Sequence, residues 1–115
     1  LLGGKRMNRK ILGQIGRLKS HKREEYIQLH SAVWPGVLKT IKDCHIEHYS
    51  IFIRDNLVFA YYEYSGADYE SDMKKMADDS ITQKWWELTK PCFEKYNANS
   101  PEAFYETMQS IFYLD

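Results

Sequence analysis

The feature that most restricts the fold is a pair of segments rich in β-branched and aromatic residues near the middle of the chain. They read "IEHYSIFI" over residues 46–53 and "LVFAYYEY" over residues 57–64, with three residues between them. Two such segments joined by so short a connection are typical of an antiparallel β-hairpin. A hairpin alone is barely stable in water, so other parts of the chain must pack against it.

Hydrophobic periodicity, glycine and proline predict the remaining elements. We expect a first strand over residues 11–18 and a last strand over residues 110–115, "SIFYLD". Four helices are predicted around the hairpin, over residues 22–33, 35–43, 67–79 and 80–96. In the last of these, Pro91 is expected to kink or end the helix.

The predicted order is strand, two helices, strand, strand, two helices, strand. This is the split βαβ plan of ferredoxin-like domains, an α+β class in which an antiparallel sheet carries helices on one face. The other face would expose many aromatic side chains, and large apolar patches mark association surfaces. We therefore expect a homodimer, a dimeric α/β barrel formed by packing of two sheet faces.

Length and charge narrow the possible functions. The 115 residues suit a single domain, which we assign to residues 7–115, and residues 1–6 are expected to be a disordered or cloning-derived leader. Sixteen basic and sixteen acidic side chains cancel, so neither nucleic acid nor a membrane is an expected partner. The two cysteines, Cys44 and Cys92, have no paired spacing, which favours reduced thiols and a cytoplasmic protein.

The stretch "EEYIQLHSAVWP", residues 24–35, places Tyr26, His30 and Trp34 four residues apart. Side chains at this spacing share one face of an α-helix. Histidine ordinarily titrates near neutral pH, so His30 is a candidate for proton transfer. A lone histidine can equally be a core or surface residue with satisfied hydrogen bonds, and the pattern by itself leaves both interpretations open.

Trp85 and Trp86 are adjacent in a predicted helix. Neighbouring residues point about 100° apart on a helix, so the two indoles cannot both fill one narrow seam. One of them can line a cavity, where a flat indole is suited to stacking on the C–H face of a sugar ring. The alternative is that Trp86 is a core residue and Trp85 covers its edge.

The segment "CHIEH", residues 44–48, invites a metal-site interpretation. In a regular strand, however, His45 and His48 point to opposite faces, and no ligands with matching spacing complete the set. The sequence also contains no G-x-S-x-G, no glycine-rich phosphate loop and no H-E-x-x-H motif. We therefore expect neither a metal nor another cofactor.

Taken together, several segments resemble the L-rhamnose mutarotase family in their order and approximate spacing: "EEYIQLHSAVWP", "HYSIFI", "LVFAYYEY", "TQKWWELTKP" and "IFYLD". The resemblance extends over residues 9–115. It implies a ferredoxin-like α+β domain that dimerises through its sheets. It also implies a cofactor-independent enzyme that interconverts the α and β anomers of a 6-deoxy-hexose.

The resemblance also implies roles for individual residues. It makes His30 the acid/base histidine, with Tyr26, Tyr49, Trp85 and Trp86 as substrate-binding residues. Trp34 matches the tryptophan before the family's proline and is expected to support the site. The chain departs from the family pattern at His48, where an asparagine usually precedes the strand tyrosine. This departure leaves L-fucose or another deoxy-sugar open beside L-rhamnose.

Two other functions remain alternatives at this point. One is a non-catalytic sugar-binding dimer in which His30 only donates a hydrogen bond. The other is a cofactor-independent monooxygenase or lyase on the same dimeric α+β plan. The tryptophan pair beside Tyr26 and His30 favours the mutarotase, because a polyol needs polar groups next to a stacking face.

Overall fold

The predicted hairpin forms the centre of the fold. A computed structural model describes residues 9–115, and the expected leader, residues 1–6, lies outside this range. The strands are β1 (Lys10–Leu18), β2 (Ile46–Arg54), β3 (Leu57–Tyr64), β4 (Phe93–Glu94) and β5 (Glu106–Met108). The helices are α1 (Arg23–His30), α2 (Pro35–Asp43), α3 (Tyr69–Asp78) and α4 (Ser80–Thr89), with 3₁₀ turns at Ser20–Lys22 and Lys90–Cys92. The α+β class and the four helices are as predicted.

The strands form one antiparallel sheet in the order β2-β3-β1-β4. β1 pairs with β3 along almost its whole length, from Lys10 opposite Tyr64 to Arg17 opposite Leu57. The other edge of β1 is shared, because β4 pairs with its end and β5 with its middle. In the described part of the chain, no helix is long and apolar enough to cross a membrane.

Alternation along β3 separates the two faces of the sheet. Val58, Ala60, Tyr62 and Tyr64 are buried, while the residues between them are only half-buried. The buried face packs against the helices, and Val58 belongs to a core cluster with Leu18, Tyr26, Cys92 and Phe93. On the opposite side is what we call the open face, formed by Ile11, Ile15, Phe52, Phe59 and Tyr61.

The first helix ends earlier than predicted. α1 stops at His30 rather than at residue 33, and the Ser31 hydroxyl donates a hydrogen bond of 2.7 Å to the Gln28 carbonyl in the closing turn. Trp34 is extended, with ψ of 136°, because a residue that precedes proline disfavours the helical conformation. Pro35 then opens α2, where its missing N–H has no consequence.

Near the C-terminus, the expectation that Pro91 kinks or ends the last helix is confirmed, whereas the predicted last strand was wrong. The last helix ends at Thr89 rather than at residue 96, since Pro91 lies in a 3₁₀ turn that leads into the short strand β4. Residues 110–115 form no strand, and the last strand is β5. The apolar composition of "SIFYLD" is typical of a strand, but the pairing of this part of the chain with β1 stops at Met108, opposite Gly13.

Candidate functional site

A pocket of about 940 Å³ lies between the helices and β2. One wall comes from the end of α1, the chain that follows it and α2, and the facing wall comes from β2. Trp85 of α4 adds an aromatic surface. The lining residues are His30, Val33, Val37, Leu38, Ile41, Lys42, Ile46, Glu47, His48, Tyr49, Ile51 and Trp85.

His30 is held at the last turn of α1 by its own helix. Its Nδ1 lies 2.8 Å from the carbonyl oxygen of Tyr26. A carbonyl can only accept, so Nδ1 carries the hydrogen, and in the neutral imidazole Nε2 is left with a lone pair. The ring packs edge-on to Trp85 at 5.5 Å and lies 4.3 Å from the Tyr26 ring. His30 therefore enters the pocket with a defined tautomer and a restricted orientation.

The Trp85 ring packs between His30 and Trp34, the residue before α2. Trp85 is buried, and its ring meets that of Trp34 at 5.3 Å in an edge-on contact. Trp34 thus packs behind Trp85 rather than lining the pocket itself. The expected divergence of the two neighbouring tryptophans is confirmed. Trp86 is not a lining residue, and its ring is covered by the Lys90 ammonium at 4.5 Å.

Tyr26 lies behind His30 instead of at the pocket surface. It is 4% exposed, and its hydroxyl is 2.7 Å from the hydroxyl of Tyr105. Burial raises the pKa of Tyr26, so the phenol stays protonated. Through its carbonyl, Tyr26 sets the tautomer of His30, while its hydroxyl is already committed to Tyr105.

Tyr49 reaches the pocket from β2. Its ring packs against Tyr62 at 5.3 Å, and 39% of the residue is exposed. Desolvation of the phenol raises the pKa of Tyr49. Among the described residues its hydroxyl has no hydrogen-bond partner. The pocket wall therefore includes a neutral phenol whose hydroxyl makes no hydrogen bond within the described chain.

Sequence reasoning missed two polar residues of the lining, Lys42 and Glu47, and noted His48 only as a departure from the family pattern beside Tyr49. The Glu47 carboxylate accepts hydrogen bonds from Arg9 at 2.9 Å and from Ser65 at 2.8 Å, and the contact with Arg9 lowers its pKa most. The Glu47 carboxylate thus already has two hydrogen-bond partners within the protein. The apolar spacing of Val37, Leu38 and Ile41 was a signal that could have located the pocket wall formed by α2.

The two histidines of "CHIEH" separate, although not in the way a regular strand would separate them. His45 precedes β2 in a left-handed conformation, with φ of 66°, and its Nδ1 lies 3.0 Å from an Asp72 carboxylate oxygen. His48 lies within β2 at the pocket. Among residues 9–115 there is no group of three or more histidine, cysteine or acidic side chains placed to hold a metal ion.

The fold and the pocket together define an α+β domain with a histidine, a tyrosine and a tryptophan around a cavity of small-molecule size. A sequence model of L-rhamnose mutarotase matches residues 12–114. The L-rhamnose mutarotase of Bacillus subtilis is 35% identical over 96 residues, which cover 82% of this chain and 88% of that protein. The protein of the same name from Oceanobacillus iheyensis is 32% identical with the same coverage.

Solved structures agree with these sequence comparisons at the level of the fold. L-rhamnose mutarotase from Formosa agariphila superposes with a TM-score of 0.72 at 24% identity, over 92% of this chain and 99% of that chain. A conserved protein from Methanosarcina mazei gives a TM-score of 0.63 at 13% identity, over 93% and 97% of the two chains. This chain belongs to the L-rhamnose mutarotase family, as the resemblance predicted, and thus to a family of isomerase-type enzymes.

Proposed function

We propose that this protein is a mutarotase that interconverts the α and β anomers of a 6-deoxy-hexose, with L-rhamnose as the first candidate. The observation that carries the proposal is the fixed imidazole of His30 on the wall of a pocket beside Trp85. An imidazole with Nδ1 committed to a carbonyl leaves Nε2 for a proton of the substrate. The indole offers an apolar surface to the C–H face of a sugar.

The reaction needs two proton transfers in each direction. A base takes the proton of the anomeric hydroxyl while an acid protonates the ring oxygen, and the bond between C1 and the ring oxygen breaks to give the open aldehyde. Rotation about the C1–C2 bond then presents the other carbonyl face. Closure reverses both transfers and yields the other anomer. The atoms balance without an electron carrier, so we propose no cofactor.

His30 is the proposed base for ring opening and the acid for the reverse step. For the second proton, Tyr49 is better suited than Tyr26, because its hydroxyl is free in the pocket whereas that of Tyr26 is bonded to Tyr105. Trp85 is the proposed stacking surface. A sugar contact by Trp86 would require a ligand that reaches the side of α4 near Lys90.

The first test is exchange NMR of the anomeric protons with catalytic amounts of protein. Enzyme-dependent exchange of the α and β signals is expected for L-rhamnose, with L-fucose and D-glucose as comparison sugars. His30→Ala should lower the exchange rate by about two orders of magnitude or more, in line with the 10²–10⁴-fold typical of general acid–base catalysis. Wild-type exchange in that variant would remove His30 from the mechanism.

A matched control separates chemistry from folding. His45→Asn removes an imidazole that is 53% exposed and lies outside the pocket lining, and asparagine tolerates the left-handed backbone there, so exchange should be retained. Sugar binding by His30→Ala, measured in the same samples, distinguishes a lost proton transfer from a lost site. If wild-type protein bound L-rhamnose without accelerating exchange, the non-catalytic binding protein would be the better interpretation.

We also propose the ferredoxin-like plan and a homodimer formed through the open face. The strand order β2-β3-β1-β4, with helices on one face, supports the first. The exposed aromatic surface supports the second, since Phe52 on the edge strand β2 is 65% exposed. The free thiols of Cys44 and Cys92 are compatible with a reducing compartment, so the cytoplasm is the proposed location.

A further inference from the structure

A β-bulge interrupts β2 where the strand passes the pocket. Glu47 lies opposite Glu63 and Ser50 lies opposite Tyr61, so two residues of β2, His48 and Tyr49, face the single residue Tyr62 of β3. In a regular strand, successive side chains point to opposite faces. At this bulge both His48 and Tyr49 line the pocket.

The bulge holds His48 in a left-handed backbone conformation, with φ of 50°. Non-glycine residues adopt this region infrequently, and such conformations concentrate at functional sites. The His48 side chain is exposed, and among the described residues it makes no hydrogen bond or ion pair. The protein therefore keeps a strained position at the pocket wall, and the imidazole it carries makes no hydrogen bond within the described chain.

Two other polar groups of the pocket already have protein partners. His30 is oriented by the Tyr26 carbonyl, and the Glu47 carboxylate is engaged with Arg9 and Ser65. A deoxy-hexose has several hydroxyl groups besides the anomeric one, and apolar side chains cannot distinguish their positions. A neutral imidazole has one donor and one acceptor, which matches what a hydroxyl offers.

We propose that His48 is a specificity-determining residue that hydrogen-bonds a sugar hydroxyl away from the anomeric carbon. It thereby selects among deoxy-hexoses that differ in the configuration of that hydroxyl. This inference rests on the proposed mutarotase function and assigns a residue to substrate choice rather than to proton transfer. The bulge is the device that brings His48 to the same wall as Tyr49.

The test compares His48→Gly and His48→Asn with wild type by exchange NMR on L-rhamnose and L-fucose. Glycine removes the imidazole and tolerates the left-handed backbone, and asparagine tolerates it with a shorter polar group. We expect His48→Gly to raise KM for the preferred sugar about tenfold while kcat changes less than about threefold, as for loss of one neutral hydrogen bond. His48→Asn should alter the ratio of kcat/KM between the two sugars.

His45→Asn is the matched control, because His45 also has a positive φ but lies outside the pocket lining. It should keep the wild-type KM and sugar preference. Unchanged KM and preference in folded His48→Gly would overturn the inference, as would the same change in His45→Asn. Thermal melts establish that each variant is folded.

A second measurement follows the effect of the sugar on the wild-type protein itself. The chain has four histidines, so their imidazole proton signals can be assigned from single variants and followed as L-rhamnose is added. Signals of His30 and His48 should shift at saturation, while those of His21 and His45 should not. An unshifted His48 signal in a protein that exchanges the sugar would overturn the inference alone. Absence of exchange with every sugar tested would instead overturn the proposed function, and this inference with it.

Discussion

At the scale of single residues, two tyrosines of the proposed site differ in what their hydroxyls contact. Tyr26 is buried with its hydroxyl bonded to Tyr105, whereas Tyr49 lines the pocket and its hydroxyl makes no hydrogen bond within the described chain. Burial raises the pKa of both phenols, so neither supplies a phenolate near neutral pH. A tyrosine that acts on the sugar must therefore act as a proton donor, and only the position of its hydroxyl distinguishes the two.

The variants Tyr49→Phe and Tyr26→Phe test this assignment as a pair. Tyr49→Phe should lower anomeric exchange by about 10²-fold, because the ring oxygen loses its proton donor. Its stability should change little, since no protein hydrogen bond is lost. Tyr26→Phe should lose about 1–3 kcal/mol of stability through the unpaired Tyr105 hydroxyl, with a smaller loss of exchange rate. Exchange NMR and urea unfolding measure both quantities, and the reverse ranking would return the donor role to Tyr26.

At the scale of elements, the backbone of β1 lies close against the buried ring of Phe93. A Cβ added at Gly16 would lie 2.6 Å from the Phe93 ring, which is buried and packed against Tyr26, Phe104 and Tyr105. A Cβ added at Gly13 would meet only the Met108 methyl group, at 3.7 Å. The same strand thus contains one glycine that packing requires and one that it does not.

Gly16→Ala should therefore destabilise the protein by about 1–3 kcal/mol, the usual effect of overpacking, because Phe93 has no space to move. Gly13→Ala should be neutral or stabilising by about 0.4–1 kcal/mol, since alanine reduces the freedom of the unfolded chain. Urea unfolding of the two variants provides the comparison. Equal stability of the two would show that the β1–Phe93 contact adapts.

At the scale of the whole molecule, two apolar surfaces lack partners within the described chain. One is the open face, and the other is the C-terminal segment, in which Ile111, Phe112 and Leu114 are each at least 80% exposed. Tyr113 of this segment lies within electrostatic range of Tyr61 on the open face. Both surfaces would be buried together in a homodimer formed through the sheets.

Phe52→Glu should convert that dimer to a monomer, because it places a charge in a desolvated interface. Leu88→Glu, on a helix of the opposite layer and 40% exposed, should leave the dimer intact. Sedimentation velocity at micromolar concentration distinguishes the two outcomes. A monomeric wild type, or dissociation by both substitutions, would count against the open face as the interface.

Much of the local structure could be predicted from sequence, because it depends on neighbouring residues. The hairpin follows from two β-rich segments around a short connection, and the start of α2 follows from Pro35. The stripe of Tyr26 and His30 follows from helical spacing, since one lies a turn from the other. The family followed from the combination of these motifs, which the comparisons confirm.

Only the tertiary structure decided which of these side chains meet. Whether "SIFYLD" became a strand depended on pairing with a neighbouring strand, and the pairing with β1 ends at Met108. The position of His48 depended on a bulge opposite Tyr62, and the commitment of the Tyr26 hydroxyl depended on Tyr105, far along the chain. Spacing along a chain fixes the face on which a residue lies within one element. Edges, bulges and hydrogen-bond partners are shared between elements, so they are settled only when the elements pack.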